Sequence, residues 1–243
     1  MDDRLASKIL VRLLDLTSLN KDDAKPIIEK LCKKSQTPYG NTAAVCVYPK
    51  FILASIGELK QSNIKIATVV NFPSGNASIE KTAEEIRNAI ELGADEIDAV
   101  FPYKKFIEGD REYCLKYTNM VAKECGNKTS KMILETGELK SGSLIVEATK
   151  ICIDAGINFI KTSTGKTEIS ATPEAANLIL ETIKTSGKDV GFKASGGIKT
   201  TYDAKKYLIL AISVFGEDWI SEKHLRIGAS SVLDDLIKTI EER

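Results

Sequence analysis

Short apolar runs alternate along this chain with longer segments of helical period, with little interruption between them. Eight runs, rich in β-branched and other apolar residues, predict strands: "LLDLT", "AAVCVYP", "KIATVVNFP", "EIDAVFP", "KMILETGE", "NFIKTST", "DVGFKASGG" and "LRIGASS". Between them, Ile79, Ala83, Ile86 and Ile90 recur at helical spacing before Gly93. Leu144, Ala148, Ile151 and Ala155 do the same before Gly156. Thr172 followed by Pro173 predicts an N-cap and a first helical turn.

Strands that are apolar on both faces need cover on both faces, which points to a parallel sheet wrapped by helices. Eight strand-then-helix units are the number that closes into a (β/α)8 or TIM barrel, an α/β fold that needs no division of residues 1–243 into smaller domains. An open doubly wound sheet is the alternative. It usually carries a glycine fingerprint in its first turn, and "LLDLTSLNKDD" has no glycine.

Lys+Arg and Asp+Glu stand at 34 each, so no net field favours nucleic acid or an anionic membrane, and small molecules are the expected partners. No apolar run approaches a membrane span, and "MDDRLASKIL" has acids where a secretory signal has bases. Five cysteines without a C-x-x-C pair fit a reduced compartment, and the expected location is the cytoplasm. With one histidine, His224, and no cysteine pair beside it, no metal site is expected.

Candidate chemistry begins with a faint internal repeat. "ELGADEIDAVFP" and "DAGINFIKTST" align on Gly93 and Gly156, which puts Asp98 and Lys161 each five residues beyond a glycine. On two even strands these side chains share interior layers and can face one another. At a reference pKa near ~10.4 roughly a few parts in ten thousand of a lysine are neutral amine at pH 7. Burial and a second cation both raise that fraction, and Lys193 on the next strand could supply the cation. Lys161 would then attack a carbonyl to give a Schiff base. The plainer reading is a buried Lys161–Asp98 ion pair, with Lys193 a lysine at the barrel rim.

Polar residues also gather where barrel enzymes keep their chemistry, at the strand ends: Asp15 and Thr17, Cys46, Asn71, Asp98 and Glu135. "SGGIKT" and "GASS" follow strands seven and eight, so Gly196, Gly197, Ser230 and Ser231 are candidates to hold a phosphate on bared backbone N–H groups. "TGKT" is not a P-loop, because its first glycine would fall at Ile160. Lys166 reads as a loop lysine with an electrostatic role, Cys46 as a small buried hydrophobe and His224 as structural.

Together "LLDLTSLN", "TPYGNTAAVCVYPKF", "IATVVNFPSGN", "GADEIDAVFPY", "ETGELK", "FIKTSTGK", "ATPEAA", "VGFKASGGI" and "RIGASS" resemble the deoxyribose-phosphate aldolases, in that family's order, from about Leu14 to Ser231. The resemblance implies a class I, metal-independent aldolase without a cofactor. Such an enzyme reversibly cleaves 2-deoxy-D-ribose 5-phosphate to acetaldehyde and D-glyceraldehyde 3-phosphate in deoxyribonucleoside catabolism. It implies Lys161 as Schiff-base lysine, Lys193 as the lysine that perturbs it and Asp98 in the proton relay. Asp15, Thr17, Cys46, Thr164, Gly165 and Lys166 would support or line the site. Gly165, Gly196, Gly197, Ser230 and Ser231 would cradle the phosphate. Some relatives end in a tail with a terminal tyrosine that assists proton transfer, whereas this sequence ends in "IKTIEER". A homodimer is one assembly its helix faces could form, and pattern alone does not decide it. Two rival readings are another phosphate-handling barrel enzyme, such as an isomerase, and a sugar-phosphate-binding protein without turnover.

Overall fold

A computed structural model describes residues 1–242. The eight apolar runs form eight parallel strands, β1 (Leu14–Ser18), β2 (Ala44–Val47), β3 (Lys65–Val70), β4 (Glu96–Val100), β5 (Thr129–Ile133), β6 (Phe159–Lys161), β7 (Gly191–Ser195) and β8 (Leu225–Ala229). Each pairs with its sequence neighbours, and β8 returns to β1 to close a (β/α)8 barrel, which excludes the open sheet. Two small pieces, Gln36–Thr37 and Gly40–Asn41, make a separate antiparallel hairpin.

Helices cover the outside, and their ends follow local chemistry. Ser78 caps Ile79–Glu91 by accepting from the Lys81 N–H, Thr172 caps Pro173–Ser186 by accepting from the Ala175 N–H, and Thr200 with Asp203 forms a capping box on Thr201–Phe215. The main core lies between strands and helices and includes Leu14, Leu16, Val45, Ile97, Ile133, Ile160, Phe192 and Ile227, all buried. Among the described residues, no helix is long and apolar enough to cross a membrane.

Most of the predicted runs extend beyond the strand they contain, and two show why. In "KMILETGE" the strand stops at Ile133, and Glu135, at φ 56°, turns the chain into a short helix, Thr136–Leu139. In "NFIKTST" only Phe159–Lys161 is strand, and the hydroxyl residues after it form a loop at the barrel mouth. In the first case the apolar run goes on to Leu134 and the backbone turn at Glu135 takes the chain out of the sheet; in the second the run ends with the strand, at the hydroxyl residues.

The barrel interior is divided. On the β2–β3 side it is filled by Ala44, Cys46, Ala67 and Val69 with Leu19, a small apolar cluster of its own. On the β4–β8 side and on β1 the inward positions carry charges: Glu96, Asp98, Lys131, Lys161, Lys193, Arg226 and Asp15, all buried. Room for them comes from glycine. A Cβ on Gly228 would stand 2.9 Å from Lys193 Cε, so only a bare backbone lets that side chain cross the barrel.

Candidate active site

Asp98 lies at the centre of the charged cluster. Lys161 Nζ donates to Asp98 Oδ2 at 2.8 Å, so the two residues the internal repeat places at equal height do meet. Lys193, paired in register with Lys161, donates to the same oxygen at 2.7 Å and lies 2.5 Å from Asp15 Oδ2. Lys131 Nζ donates to Asp98 Oδ1 at 2.7 Å and sits 2.5 Å from Glu96 Oε2. Arg226 joins Asp15 Oδ1 at 2.6 Å to Glu96 at 2.8 and 3.2 Å.

Lys161 is 3% exposed, and the remnant faces a cavity of about 180 Å³ at the C-terminal mouth of the barrel. Gly165, Lys166, Gly196, Gly197, Ser230 and Ser231 line this cavity with Thr17 and Thr164. Gly196 and Gly197 take φ values of 86° and 78°, and a Cβ on Gly196 would meet Ser170 at 2.6 Å, so both need glycine. Ser231 stands at the N-cap of Val232–Glu241 and makes no side-chain cap bond, which leaves its hydroxyl and that helix end open toward an anion.

The remaining predicted residues occupy supporting places. Thr17 Oγ1 donates to the Asp15 carbonyl at 2.8 Å. Cys46 is buried in the small apolar cluster beneath the cavity and does not line it, and burial pushes its thiol up from the ordinary value. Glu135 grips the loop after β6, accepting from the Thr164 N–H at 3.2 Å and from Thr167 Oγ1 at 3.2 Å. Asn71 ties its own loop together by accepting from the Ala77 N–H at 2.7 Å and donating to Tyr117 Oη at 2.9 Å, away from the cavity. His224 stacks on Trp219 and contacts Asp189 at 2.9 Å, on the far side of the barrel.

A family model described as "DeoC/LacD family aldolase" matches residues 9–234. The chain belongs to the DeoC/LacD family of aldolases. Its fold is similar to that of a protein from Coccidioides immitis provisionally assigned as a deoxyribose-phosphate aldolase. That match has 25% identity and a TM-score of 0.85 over 96% of this chain and 86% of the other. It is also similar to the aldolase called QR15, with 26% identity and a TM-score of 0.80 over 94% and 96% of the two chains. The tetrameric deoxyribose phosphate aldolase of Aeropyrum pernix shares the fold at 23% identity, with a TM-score of 0.79 over 97% and 92%.

In this aldolase the interior charges sort themselves by their partners. Burial would raise both Asp98 and Asp15, but the cations around them win and hold both carboxyls well below the usual range. Burial would lower Lys193 and Lys131, but Asp15 and Asp98 hold the Lys193 proton, and Asp98 and Glu96 hold that of Lys131, so both stay above the ordinary lysine value. Lys161 goes the other way. Burial pulls it down and the neighbouring Lys193 adds to this, and the opposition of Asp98, with a smaller one from Cys46, does not overcome them. It is the buried lysine that gives up its proton most readily.

Lys131, Glu96 and Arg226 were not among the residues singled out in the sequence. The signal was there as period two: Glu96 is two residues before Asp98, and Arg226 is two before Gly228, so each shares the inward parity of a site residue. Attention to strand ends passes over them because they lie deeper in the barrel. Among the described residues, no group of three or more His, Cys, Asp or Glu side chains is placed to hold a metal ion.

Proposed function

We propose that this aldolase interconverts 2-deoxy-D-ribose 5-phosphate with D-glyceraldehyde 3-phosphate and acetaldehyde through a Schiff base on Lys161, serving deoxyribonucleoside catabolism. The observation that carries the reading is the position of Lys161. Its amine shares one carboxylate oxygen with Lys193 and forms the floor of a cavity rimmed by a glycine and serine cradle.

Neutral Lys161 attacks the C1 aldehyde of the open-chain sugar, and loss of water gives a protonated imine, which is the electron sink. Acetaldehyde takes C1 and C2, so the bond that breaks is C2–C3. The C3 hydroxyl loses its proton, the C2–C3 electron pair moves into the imine, and glyceraldehyde 3-phosphate leaves with C3 as its aldehyde. The remaining enamine is protonated at C2, and water hydrolyses the acetaldehyde imine to free Lys161. Asp98, in contact with Lys161 and Lys193, organises the water that carries these protons. Gly165, Gly196, Gly197, Ser230 and Ser231 hold the phosphate, with Lys166 adding positive charge at the rim. Thr17 and Thr164 line the path between phosphate and lysine, and Asp15 anchors Lys193. Cys46 contributes packing under the lysine.

The test is to incubate the protein with acetaldehyde, reduce with borohydride and map the adduct by mass spectrometry. An ethyl group on Lys161, absent from Lys161→Ala, is expected. A folded sample that carries no adduct, or carries it on another lysine, removes Lys161 from this role and favours the isomerase or binding-protein readings.

A further inference from the structure

The barrel centre holds four cations, Lys131, Lys161, Lys193 and Arg226, against three carboxylates, Asp15, Glu96 and Asp98. The ion pairs form a ladder. At its foot Arg226 clamps Glu96 with two hydrogen bonds and holds Asp15 with a third. Glu96 and Asp98 share Lys131, Asp15 and Asp98 share Lys193, and Lys161 is left with the one oxygen of Asp98 that Lys193 also uses. Buried charges must be compensated, so the cation in excess is the one with the fewest contacts.

We propose that Arg226, clamped by Glu96, is a positioning residue that sets this count and thereby leaves Lys161 as the lysine without a carboxylate of its own. The proposal deepens the Schiff-base reading and rests on it for the role of Lys161. Without the Arg226 charge, three carboxylates would face three lysines, and Lys161 would be needed as an ammonium ion. Other groups facing Lys161 do not change the count. β2 offers the Cys46 thiol, kept protonated by burial, and β3 offers only Ala67 and Val69. Above, Glu135 is turned into Thr164 and Thr167, while Lys166 and Lys199 stand on the cavity rim.

Lys161 can be read without turnover, from the pH dependence of its acetylation by trace acetic anhydride, measured on its peptide by mass spectrometry. The pH profile of kcat/KM for 2-deoxyribose 5-phosphate is followed alongside. Arg226→Met is expected to move the acetylation midpoint up by about one pH unit or more, leaving about tenfold less reactive amine at neutral pH. Arg226→Lys keeps the charge and should keep the midpoint. Glu96→Gln combined with Arg226→Met restores an excess of one cation and should bring the midpoint back, a rescue that a merely structural role would not produce. If Arg226→Met does not fold, Glu96→Gln alone carries the test, with the midpoint expected to move down. An unmoved midpoint in the folded variants, with activity lost evenly across pH, overturns the proposal. Shifted midpoints in a protein that traps no acetaldehyde would support the charge count and sink the Schiff-base role, and trapping with unmoved midpoints would do the reverse.

Discussion

The two mouths of the barrel differ in a way that reverses first expectation. The N-terminal mouth opens into a cavity of about 860 Å³, the C-terminal mouth into one of about 180 Å³, yet the candidate nucleophile lies at the smaller. The large cavity is lined by polar side chains such as Asn41, Lys65, Lys128 and Lys223, and the buried groups at its floor, Glu96 and Arg226, are tied to one another and hold no free nucleophile. The small one combines a buried amine, glycine-bared backbone and two free serine hydroxyls within reach of one small molecule. Convergence, not volume, locates chemistry. The ladder from Arg226 to Lys161 joins the two mouths, so the far end supplies charge balance rather than contacts to substrate.

The largest expected effect, at the small mouth, separates activity from stability. Lys161→Met should lower cleavage of 2-deoxyribose 5-phosphate by on the order of a thousandfold or more, because it removes the proposed nucleophile. Its melting temperature should not fall, since three carboxylates still face three cations. A clear drop in melting temperature would show that Lys161 is a structural ion-pair partner after all.

Asp98→Asn should do the opposite to stability. It takes away the one carboxylate of Lys161 and one of the two close carboxylates of Lys131 and of Lys193, leaving four buried cations on Asp15 and Glu96, at a cost of about 3–5 kcal/mol, to be read from urea unfolding. The pH dependence has a definite sign. Asp98 and Asp15 are held below their unfolded values, so their stabilisation is complete above the ordinary carboxylate range. It is lost as pH falls through their depressed folded values. The acid-side loss of stability should therefore be shallower in Asp98→Asn than in the parent, and curves of equal slope would contradict this account.

A smaller effect is expected at the rim. Gly196→Ala adds a methyl group that would meet Ser170 in a backbone conformation alanine disfavours. KM for the phosphorylated sugar should rise about tenfold, corresponding to about 1.4 kcal/mol, and borohydride trapping of acetaldehyde, which has no phosphate, should suffer less. Equal losses for both would remove the phosphate role from this loop. Smallest of all, Lys65→Ala or Lys223→Ala in the large cavity should change stability by less than ~0.5 kcal/mol and leave kcat and KM where they were. A marked loss of activity in either would mean that the N-terminal mouth touches the reaction.

The eight strands, their parallel order and the closure to a barrel were legible in the chain because burial on both faces imposes continuous apolar runs, and eight βα units leave few other ways to bury them. Lys161, Asp98 and Lys193 stood out for the same reason: a charge within an apolar strand is costly and calls for an explanation. The loops proposed to hold the phosphate were visible as glycine and serine clusters at strand ends. Strand ends were less legible, since β5 stops at Ile133 while the apolar run goes on to Leu134, and a backbone angle at Glu135 turns the chain away.

Pattern along the chain thus determined the architecture and singled out the candidate lysine, both of which follow from local burial and period. Only the tertiary structure decided which charge meets which. Glu96 and Arg226 are 130 residues apart, and Asp15 and Arg226 are 211 apart. Their contact depends on strand register and on the closing of β8 against β1. Burial sets the cost of every charge one at a time, but compensation is a property of the set, and the set exists only once the barrel has closed.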